Sequence, residues 1–593
     1  MRWTPRCTPE KEELASRLSV EARIAPVLAR LLAARGIDSV EEATRFLSPK
    51  MEHLHSPYEM LGMRAAIDRL RAAIERKERV LIYGDYDVDG TTAVVILKTA
   101  IELCGGTCEF HVPHRIREGY GMRDDVIERA AAGGVSLIIS VDTGIRAFAA
   151  AETCHRLGLD LIVTDHHLPE ADGVPRAVAV LNPNQHGCSY PCKALCGAGV
   201  AFKVAQGLLE QYPNYGKLIP SFLKVVAIAT IADAVPLVDE NRVFAKLGLD
   251  GLRSPVNAGL RALMDVADLS GRPIKSGDVA FRLAPRLNAA GRMDVAKDVV
   301  DLFTIKDANL AREIAGRLNA LNAERQAEEA RIVAEIQGQL DRDQQSRESN
   351  CIVVDGEGWH KGVIGIVASR VVDRYHRPAV VISREGVVAQ GSGRSIEAFH
   401  LMEALESCAP LFTRFGGHAH AAGFALPSER IPELRQALCA RANERLTPED
   451  LRPVLRYDSE IMLDEVTPNL FEFIEQLEPF GMSNPEPVFI SRGVRVLVPP
   501  RLLKEKHMKL RVRQEPDNLN GSGRGARVFD LLAWRMADRI QQEAVIAGDA
   551  LDIAFSVDEN QHPEYGGLQL SLSDFSRTGS APKAAAARAG DPN

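Results

Sequence analysis

The sequence has little that would place it in a membrane or among disulfide-bonded secreted proteins. No stretch of its 593 residues supplies the uninterrupted apolar run of a membrane span, and the opening MRWTPRCTPEKEEL has no apolar signal core. Its 10 cysteines are scattered through a large chain, which favours reduced, buried thiols over a disulfide framework. These absences predict a cytoplasmic enzyme or binding protein with no membrane contact.

The chain also lacks an excess of positive charge. Its formal net charge of -8 at pH 7 argues against a uniformly basic nucleic-acid binder. A polyanionic substrate remains open, because local basic clusters and bound divalent ions set the field where such a substrate lies. A chain of 593 residues exceeds what one hydrophobic core supports, so several domains are expected.

Between residues 65 and 290 short apolar runs alternate with helix-like segments. The runs are residues 80–83, 135–141, 159–163 and 177–181. This alternation predicts an α/β domain with a mostly parallel sheet covered by helices, and ligands bind such sheets at the carboxyl ends of the strands.

The most informative stretch is VLIYGDYDVDGTTAVVILKTAIELCGG, residues 80–106. Residues 80–83 predict a buried strand, and residues 91–103 predict a helix that opens on a hydroxyl N-cap. Asp85, Asp87 and Asp89 lie between them. Carboxylates crowded at the end of a buried strand repel one another, so a cation or a bound proton must offset their charge. A metal ion is the simplest explanation.

Two other interpretations fit this stretch. Asp-x-Asp-x-Asp-Gly also opens an EF-hand calcium loop, but a helix should precede that loop and a Glu should close it, where this chain has Ile96. A solvated, Asp-rich turn between a strand and a helix needs no ion at all.

Further acidic and imidazole side chains follow other apolar segments. They are Asp142 after residues 137–141, Asp165, His166 and His167 after residues 161–164, and Asp233 after the apolar helix 222–231. A single Asp after a strand is more often a cap than a ligand, but a set repeated along one sheet edge predicts a site.

The adjacent histidines are expected to serve different purposes. Neighbouring residues of a strand point to opposite faces, so one of His166 and His167 can bind a metal while the other contacts substrate. Asp and His together suit Mn²⁺ or Mg²⁺ better than a closed structural zinc site, which favours Cys.

The motifs GDYDVDG, VDTGI, TDHHLP followed by LNPNQ, and IADAVPL together resemble the DHH phosphoesterase family. The resemblance runs from about Arg79 to about Phe575 and is closest to members that degrade single-stranded DNA. It implies a metal-dependent 5′-to-3′ exonuclease that hydrolyses single-stranded DNA in DNA repair and recombination. The implied cofactors are two divalent ions, Mn²⁺ or Mg²⁺.

The resemblance also implies a role for each site residue. Asp87 and Asp142 would bind one ion and Asp89, His166 and Asp233 the other, with Asp142 bridging. Asp85 would accept a hydrogen bond behind the ligands, and His167 would contact the scissile phosphate. Ions about 3.5 to 4 Å apart can activate a water between them and stabilise the leaving oxygen. Many members have His where this chain has Tyr83, so the first ion is expected to have fewer ligands here.

Other motifs concern the substrate: VPHRIREGYGM, RLAPRLNAAGRMD, GSGRS and FGGHAHAAGFAL. Clustered glycines let backbone N–H groups approach a phosphate. By resemblance Arg115, Arg292, Ser392 and Arg394 would form a pocket for the 5′-terminal phosphate, with His418 facing the substrate near the metals. The alternative is that Arg115 belongs to a solvated basic loop and that His418 is an ordinary loop histidine.

Two further patterns bear on cofactor chemistry. Cys188, Cys192 and Cys196, with His186 nearby, could suggest zinc, but their spacing differs from a C-x₂-C knuckle, so buried thiols are preferred. The segment beginning at Gly197 fails the dinucleotide pattern G-x-G-x-x-G because Phe202 occupies the place of the third glycine.

The predicted architecture is α/β, and it has six parts. They are an N-terminal helical extension (residues 1–62) packed on the next domain, a parallel-sheet DHH catalytic domain (63–305), a long connector helix (306–347), a second smaller α/β domain (348–447), a C-terminal β-barrel of the OB-fold type that grips single-stranded DNA (448–576), and a disordered tail (577–593). Residues 514–526 are expected to be a flexible insertion in the barrel.

The barrel sequence offers a basic edge with few aromatic residues between its charges, so attraction to the DNA backbone should outweigh base stacking. This edge comprises Lys504, Lys506, His507, Lys509, Arg511 and Arg513.

Two other functions remain open. A hydrolase of short oligonucleotides or cyclic dinucleotides would not need the basic barrel, and a non-catalytic replication scaffold would be expected to lose the metal ligands. The implied partners of the exonuclease are single-stranded DNA, a single-strand-binding protein and a repair helicase, and the chain is expected to act as a monomer.

Overall fold

The computed structural model describes residues 1–115, 117–119, 121–293, 296–515, 527–560 and 566–579. The chain divides into two compact units, one formed by Met1–Pro49 with Pro453–Asn593 and the other by Lys50–Arg452. Most of the expected insertion (residues 516–526) and most of the expected tail (residues 580–593) lie outside the described residues.

The first unit opens with one strand and three helices. They are β1 (Arg2–Pro5), α1 (Pro9–Glu21), α2 (Pro26–Ala34) and α3 (Val40–Leu47).

The second unit begins with an α/β domain. Its elements are α4 (Met63–Glu75), β2 (Arg79–Tyr83), α5 (Val88–Leu103), β3 (Thr107–His111), α6 (Asp124–Ala132), β4 (Val135–Val141), α7 (Phe148–Arg156), β5 (Asp160–Thr164), β6 (Ala179–Leu181), α8 (Gly197–Leu209), α9 (Tyr215–Ala232), α10 (Asp239–Leu252), α11 (Ala258–Val266), α12 (Ser276–Asp278), α13 (Ala284–Met293) and α14 (Lys297–Thr304). The strands form one sheet in the order β3-β2-β4-β5-β6, and every neighbouring pair is parallel. The prediction of a parallel sheet is confirmed.

Apolar residues cover both faces of this sheet, as its buried strands require. Ile82 and Ile139 pack with α4, α5, α8 and α9 on one face. Leu81 and Ile138 pack with α6 and α7 on the other. The carboxyl ends of β2, β4 and β5 therefore reach the same edge of a sheet that is covered on both sides.

Helix α5 begins earlier than the sequence suggested. It starts at Val88, and its N-cap is Asp87, whose carboxylate accepts a hydrogen bond from the Gly90 N–H at 3.0 Å. The expected hydroxyl N-cap near Thr91 is wrong, because the carboxylate of Asp87 satisfies the free N–H groups of the first turn. Asp89 consequently lies within the first turn of the helix.

Within the described ranges one helix, α9, has the length and hydropathy that a membrane span requires, contrary to the expectation that no stretch does. It packs against α5, α8 and α10, and Phe222, Val226 and Ile228 are buried in the core of the domain. We interpret α9 as a core helix.

The connector comprises α15 (Ala308–Arg342) and α16 (Gln344–Glu348), and the second domain follows it. That domain contains β7 (Ile352–Glu357), α17 (Ile364–Tyr375), β8 (Ala379–Glu385), β9 (Val388–Arg394), α18 (Leu401–Glu406), β10 (Arg414–Gly417), β11 (Ala421–Pro427) and α19 (Ile431–Arg445). Its five-stranded sheet has the order β10-β11-β9-β8-β7, in which only the β7–β8 pair is parallel.

The second domain is anchored to the connector helix. Ile332, Ile336 and Leu340 of α15 share an apolar cluster with Trp359, and the Trp359 indole donates a hydrogen bond to the Glu335 carboxylate at 2.7 Å. Arg370 of α17 pairs with Glu329 of α15 at 2.9 Å. These contacts fix the second domain on the connector.

The motif GSGRS is not a glycine-rich loop, because Gly391 to Arg394 lie on strand β9. A Cβ atom on Gly391 would lie 2.1 Å from the Phe424 ring, and one on Gly393 would lie 2.7 Å from Leu401. These two glycines make room for neighbouring side chains in a strand that pairs with β8 and with β11. The expectation that backbone N–H groups of the motif approach a phosphate stays a prediction.

The chain completes the first unit with a β-barrel. Its elements are β12 (Val454–Tyr457), β13 (Ser459–Glu460), α20 (Pro468–Gln476), β14 (Phe489–Val496), β15 (Arg501–Leu503), β16 (His507–Arg513), β17 (Val528–Ala533), α21 (Ala537–Gln542), β18 (Ala550–Asn560) and β19 (Gly567–Arg577). The sheet order is β13-β14-β18-β19-β17-β16-β15, and an added β14–β16 pairing closes it, as expected for a small barrel.

The N-terminal segment packs on this barrel, and the expectation that it packs on the next domain in sequence is wrong. Strand β1 pairs in parallel with β12, and Leu28, Leu31 and Leu32 of α2 enter the apolar core of the barrel. The buried guanidinium of Arg35 donates hydrogen bonds to the side chains of Asn484 at 2.7 Å and Asp458 at 3.0 Å. Residues 50–62, the end of the predicted extension, belong to the second unit.

Candidate metal centre and substrate cleft

The carboxyl ends of β2, β4 and β5 bring the predicted acidic and imidazole side chains together. Their ligand atoms form three groups whose members lie within 4.8 Å of one another. The groups are Asp85, Asp87 and Asp142; Asp89, His166 and Asp233; and Asp142, His166 and His167. Asp142 and His166 each belong to two groups, so the donors form one continuous cluster.

The imidazole of His166 lies at the centre of this cluster. Its Nε2 is 3.2 Å from the Asp142 carboxylate, 3.7 Å from that of Asp89 and 3.8 Å from that of Asp233. These side chains come from a loop after β5, a loop after β4, the first turn of α5 and the C-cap of α9. Four separate segments thus bring oxygen and nitrogen donors to one place, where they could hold a metal ion.

Asp89 is held by the N-terminus of α8. Its two carboxylate oxygens accept hydrogen bonds from the backbone N–H groups of Gly197 at 2.5 Å and Ala198 at 2.8 Å. A Cβ atom on Gly197 would lie 2.6 Å from the Asp142 Cβ, so only glycine fits there. The sequence reasoning missed this role because it tested Gly197 only against a dinucleotide motif. The signal in the sequence was a glycine at the start of the apolar run 197–202, because the N-terminus of a helix binds carboxylates.

The buried carboxylates have oxygens that the protein does not satisfy. One oxygen of Asp85 and one of Asp142 are buried without a hydrogen-bond partner. An unpaired buried carboxylate oxygen is costly, and a divalent cation is the group that offsets it. One oxygen of Asp85 thus lies within 4.8 Å of ligand atoms of Asp87 and Asp142, and its expected role as an acceptor behind the ligands stays a prediction.

Burial also raises the pKa values of these carboxyls. Desolvation, reinforced by the neighbouring carboxylates, holds the pKa of Asp85 and of Asp142 well above the ordinary range. The same causes raise the pKa of Asp233 to about 9. Without a cation the cluster would retain protons at neutral pH, and binding of a cation would release them. The donors are carboxylate oxygen and imidazole nitrogen, a set that fits Mn²⁺ or Mg²⁺.

The nearest candidate thiol takes no part in this donor set. Cys196 is buried and lies 3.7 Å from the Thr230 hydroxyl, and burial together with the charges of Asp89 and Asp233 raises its pKa well above the ordinary value. Cys188 and Cys192 are also free and buried. Among the described residues, none of these three thiols belongs to a group of potential metal ligands, which agrees with buried thiols.

His167 is oriented by Asp165. Its Nδ1 lies 2.7 Å from the Asp165 carboxylate, which also accepts N–H groups from Ile145 and His166. Burial works against the charged imidazole, but the hydrogen bond to Asp165 prevails and raises the pKa of His167. The expectation that the histidines point to opposite faces is wrong. Strand β5 ends at Thr164, and the two rings lie 4.4 Å apart in the loop beyond it.

Three arginines meet beside the acidic cluster. Arg115 stacks over the Tyr86 ring at 4.9 Å, Arg292 donates to the Gly362 carbonyl at 3.1 Å, and Arg394 donates to the Ser392 hydroxyl at 3.1 Å. Burial, followed by the positive charges of its arginine neighbours, lowers the pKa of Arg292 to about 10. Among the described residues none of the three guanidinium groups lies within 4.0 Å of a carboxylate oxygen. Gathered cations without carboxylate partners indicate an anion site.

Glycines of the second domain shape this anion site. A Cβ atom on Gly362 would lie 2.5 Å from the Arg292 carbonyl oxygen, and one on Gly365 would lie 3.1 Å from the Ser392 hydroxyl. Gly365 lies in the first turn of α17, whose N-terminal N–H groups favour anions. The sequence reasoning did not single out either glycine. Residues 116, 120 and 294 of the flanking motifs lie outside the described residues.

His418 and His167 line the same cavity. It has a volume of about 550 Å³, and its wall also includes Asp165, Thr143 and Gly144. His418 comes from the turn between β10 and β11, whereas His167 comes from the first α/β domain. The two domains of this unit therefore face each other across a cleft beside the acidic cluster.

Comparison with known proteins gives the family. Residues 79–230 match the model of the DHH family N-terminal domain, residues 348–444 the DHHA1 domain, and residues 457–574 the RecJ OB domain. A single-stranded-DNA-specific exonuclease RecJ of Bacillus subtilis is 38% identical over 580 residues, covering 97% of this chain and 70% of its own length. The chain belongs to the RecJ family.

Other RecJ proteins agree with this assignment. The single-stranded-DNA-specific exonuclease RecJ of Escherichia coli is 34% identical over 588 residues, covering 95% of this chain and 98% of its own length. The crystal structure of RecJ with Mn²⁺ from Thermus thermophilus is 27% identical, has a TM-score of 0.79, and covers 98% of this chain and 80% of that one. The corresponding Mg²⁺ complex has a TM-score of 0.74.

Tyr83 of this RecJ-family chain occupies the position at which histidine was expected from the resemblance. Its side chain points away from the acidic cluster. It is fully buried with Ile138 and Val126, and its hydroxyl donates a hydrogen bond to the Gly121 carbonyl at 3.2 Å. Its ring lies 5.0 Å from that of His111, whose Nε2 is 3.1 Å from Glu118. Tyr83 therefore anchors the loop that carries Arg115.

We expect Tyr83→Phe to lower the free energy of unfolding by about 1 kcal/mol, because it removes one buried hydrogen bond. The concentration of Mn²⁺ needed for half-maximal activity should stay unchanged, since the hydroxyl contacts a carbonyl and no ligand group. Thermal unfolding and a Mn²⁺ titration of activity measure the two effects. A clear rise in the Mn²⁺ requirement would place the hydroxyl at the metal centre instead.

In this RecJ-family chain four residues of the predicted basic edge lie on β16, Lys504 and Lys506 lie in the turn before it, and the edge is partly neutralised. Lys509 pairs with Asp530 at 2.8 Å, and Arg513 lies 3.8 Å from Glu515. Trp534, which is 52% exposed, lies 5.1 Å from the His507 ring. The sequence reasoning overlooked this exposed aromatic beside the basic strand, because Trp534 follows β17, a neighbouring strand.

Proposed function

We propose that the chain is a metal-dependent exonuclease that hydrolyses single-stranded DNA from its 5′ end. The observation that carries this proposal is the cluster of Asp87, Asp89, Asp142, His166 and Asp233 with an arginine site directly beside it. The named activity of the RecJ relatives supports the same conclusion.

The acidic cluster is suited to hold two divalent ions. Asp87 and Asp142, with Asp85, would hold one, and Asp89, His166 and Asp233 would hold the other, with Asp142 shared. Bound there, Mn²⁺ or Mg²⁺ supplies Lewis acidity and lowers the pKa of water for in-line attack on phosphorus. The N-terminus of α8 keeps the Asp89 carboxylate in place. Asp165 orients the His167 imidazole and raises its pKa, and His167 would contact the scissile phosphate.

The arginine site gives the reaction its polarity. Arg115, Arg292 and Arg394, with Ser392, would hold a terminal phosphate through charge-assisted hydrogen bonds. The arginine site and the acidic cluster are neighbours, because the charge of Arg115 acts to lower the pKa of Asp85 and the charge of Asp87 acts to raise the pKa of Arg292. A strand whose 5′ phosphate lies among the arginines presents a following phosphate to the acidic cluster, and His418 approaches that strand from the second domain.

We further propose the domain assignment that this function requires. The catalytic domain spans residues 63–305, the connector helix 306–347, the second domain 348–447 and the barrel 448–576, with a disordered tail at 577–593 and an N-terminal extension at 1–62. The basic strand β16 and Trp534 would grip single-stranded DNA through backbone attraction and base stacking.

The chain would act in DNA repair and recombination in the cytoplasm as a monomer, with a single-strand-binding protein and a repair helicase as associates. Support comes only from the family, whose members are named for their action on single-stranded DNA.

A digest of end-labelled DNA with Mn²⁺ tests the proposed function. A long single strand with a 5′ label should release labelled mononucleotide first, whereas the same strand with a 3′ label should release its label last. A matched duplex should resist. Early release of the 3′ label, or faster hydrolysis of a cyclic dinucleotide than of the long strand, would contradict the proposal.

Gly197→Ala should lower kcat on single-stranded DNA by about 100-fold, because the added methyl group displaces the Asp142 side chain. Gly199→Ala in the same helix is the matched control, since its Cβ would lie 3.4 Å from Leu195, an ordinary contact. Steady-state kinetics of the two variants measure the difference. Equal activity of both variants would mean that the cradle around Asp142 is not needed.

A further inference from the structure

A second depression lies away from the cleft, in the first α/β domain of the Lys50–Arg452 unit. It has a volume of about 700 Å³, within the range of sites that enclose a ligand or a short peptide segment. Its walls are the C-terminal half of α5, the N-terminal half of α9, the start of α11 and the end of α14. We call it the α5–α9 groove.

The floor of the α5–α9 groove is apolar. Leu103, Leu218, Val225 and Ile305 are only half-buried there, and Val256 on the rim is 84% exposed. Open apolar surface of this kind, concentrated in one concave site, is typical of a docking surface. A nucleic-acid backbone would gain little from it.

The rim of the groove is basic. Lys224, Arg261 and Lys306 line it, and within the described ranges none of them lies within 4.0 Å of a carboxylate oxygen. Glu102, an acidic residue of the lining, is paired with Lys98 one helical turn away. The groove therefore combines an apolar floor with three cationic side chains that form no ion pair with any described residue.

The groove is remote from the metal centre, although the same helices serve both. Helix α5 carries Asp89 in its first turn and the groove residues Thr99 and Leu103 in its last turns, and its 16 residues span about 24 Å. Helix α9 has the reverse arrangement, with Asp233 at its C-cap and Leu218 near its start. An occupant of the groove would leave the acidic cluster accessible.

We propose that the α5–α9 groove docks a short acidic segment of a partner protein, with apolar side chains in the groove and carboxylates on its rim. Charge complementarity selects this occupant, because a purely apolar segment would leave the three cations unpaired. A helix-long or extended segment of a few residues fills a groove of this size. Such docking would attach the enzyme to a partner without blocking hydrolysis.

The test uses the full chain and a fluorescein-labelled octapeptide pool. Four positions of each peptide carry Asp or Glu, and the other four carry Leu, Ile, Phe or Met. We expect saturable binding that weakens with added salt, because exposed charges are screened. Two control pools replace either the acidic positions or the apolar positions with Ser and Asn, and both should bind about tenfold more weakly or worse.

Two double variants locate the binding. Arg261→Glu with Lys306→Glu should weaken binding of the acidic apolar pool by about tenfold or more. The matched control, Lys77→Glu with Arg445→Glu, makes the same change of charge at exposed sites outside the groove and should bind as the wild type does. Both double variants should keep kcat/KM on a bare single strand within about twofold of the wild type, because neither touches the acidic cluster.

Three outcomes would overturn the proposal. The first is that the acidic apolar pool does not bind the wild type, and the second is that both double variants lose binding equally. The third is that a single-stranded oligonucleotide displaces the pool equally from the wild type and from the Arg261→Glu, Lys306→Glu variant. The last outcome would assign the binding to the DNA cleft. Val256→Asp offers an independent check, because this exposed residue can be changed with little effect on folding, and the pool should then bind more weakly.

Discussion

Asp142→Asn abolishes hydrolysis of single-stranded DNA and leaves the protein folded. Asp142 belongs to two of the three groups of potential ligands and lies 3.2 Å from His166 of the remaining group, so loss of its charge should weaken the hold on both ions, and we expect kcat to fall on the order of 1,000-fold. The measurement is release of nucleotide from a labelled single strand with saturating Mn²⁺. Asp268→Asn, at a fully exposed carboxylate of the same domain, is the control and should keep full activity. An active Asp142→Asn variant would contradict the assignment of the metal centre.

The same variant should be more stable than the wild type without metal. The carboxyls of Asp85, Asp142 and Asp233 have pKa values raised by burial and by one another, so the folded protein retains protons that the unfolded chain releases. Stability of the metal-free protein should therefore fall as the pH rises from about 4 towards about 9, the pKa to which burial raises Asp233, by up to about 1.4 kcal/mol per pH unit for each carboxyl. Asn at position 142 removes one contribution to this loss. Thermal unfolding at several pH values in a chelator measures it, and a flat profile would contradict the clustering of charge.

Arg394→Gln raises KM for single strands with a 5′ phosphate by about 10- to 100-fold, because it removes a buried, charge-assisted contact to that phosphate. It should change KM much less for strands with a 5′ hydroxyl. The cause lies in the position of Arg394, whose guanidinium is held by the Ser392 hydroxyl and the Gly393 carbonyl beside Arg115.

Kinetics with the two kinds of 5′ end separate this role from a structural one. Arg374→Gln on α17 of the same domain is the control, because its guanidinium lies over the adjacent Tyr375 ring, outside the cleft. An equal rise of KM for phosphate and hydroxyl ends in Arg394→Gln would show that the arginine site does not bind the terminal phosphate.

The parallel sheet could be predicted from the sequence because four of its five strands, β2, β4, β5 and β6, contain short apolar runs with polar residues soon after them. The carboxyl ends of parallel strands meet at one edge, so Asp87, Asp142 and His166 could be expected to converge. The spacing of these residues in the sequence does not show that they lie close together in space. The parallel order of the strands does show it. The metal cluster is thus a consequence of the fold class.

Contacts between distant parts of the chain could not be predicted in this way. Strand β1 pairs with β12, which lies about 450 residues later in the sequence. The residues Arg2–Pro5 contain no pattern that indicates which strand they pair with. The hydrogen bonds from the backbone N–H groups of Gly197 and Ala198 to Asp89 also join residues that are 108 and 109 positions apart in the sequence. The directions of the His166 and His167 side chains could not be predicted either. Both residues lie beyond the end of β5, where side chains no longer alternate between the two faces of the sheet.

The glycines of GSGRS illustrate a different limit. Clustered glycines allow either close approach to a phosphate or close packing of neighbouring side chains, and the sequence does not distinguish these. In the structure Gly391 admits the Phe424 ring, whereas Gly365, which no motif singled out, lies against Ser392 and Arg394.

The most direct test of the account counts the bound ions. Equilibrium dialysis of the full chain against Mn²⁺, with metal and protein measured in the same samples, should give two ions per chain for the wild type and one or fewer for Asp142→Asn. Asp268→Asn should bind as the wild type does. A wild type that binds less than one ion, or an Asp142→Asn variant that still binds two, would contradict the claim that these side chains hold a pair of cations.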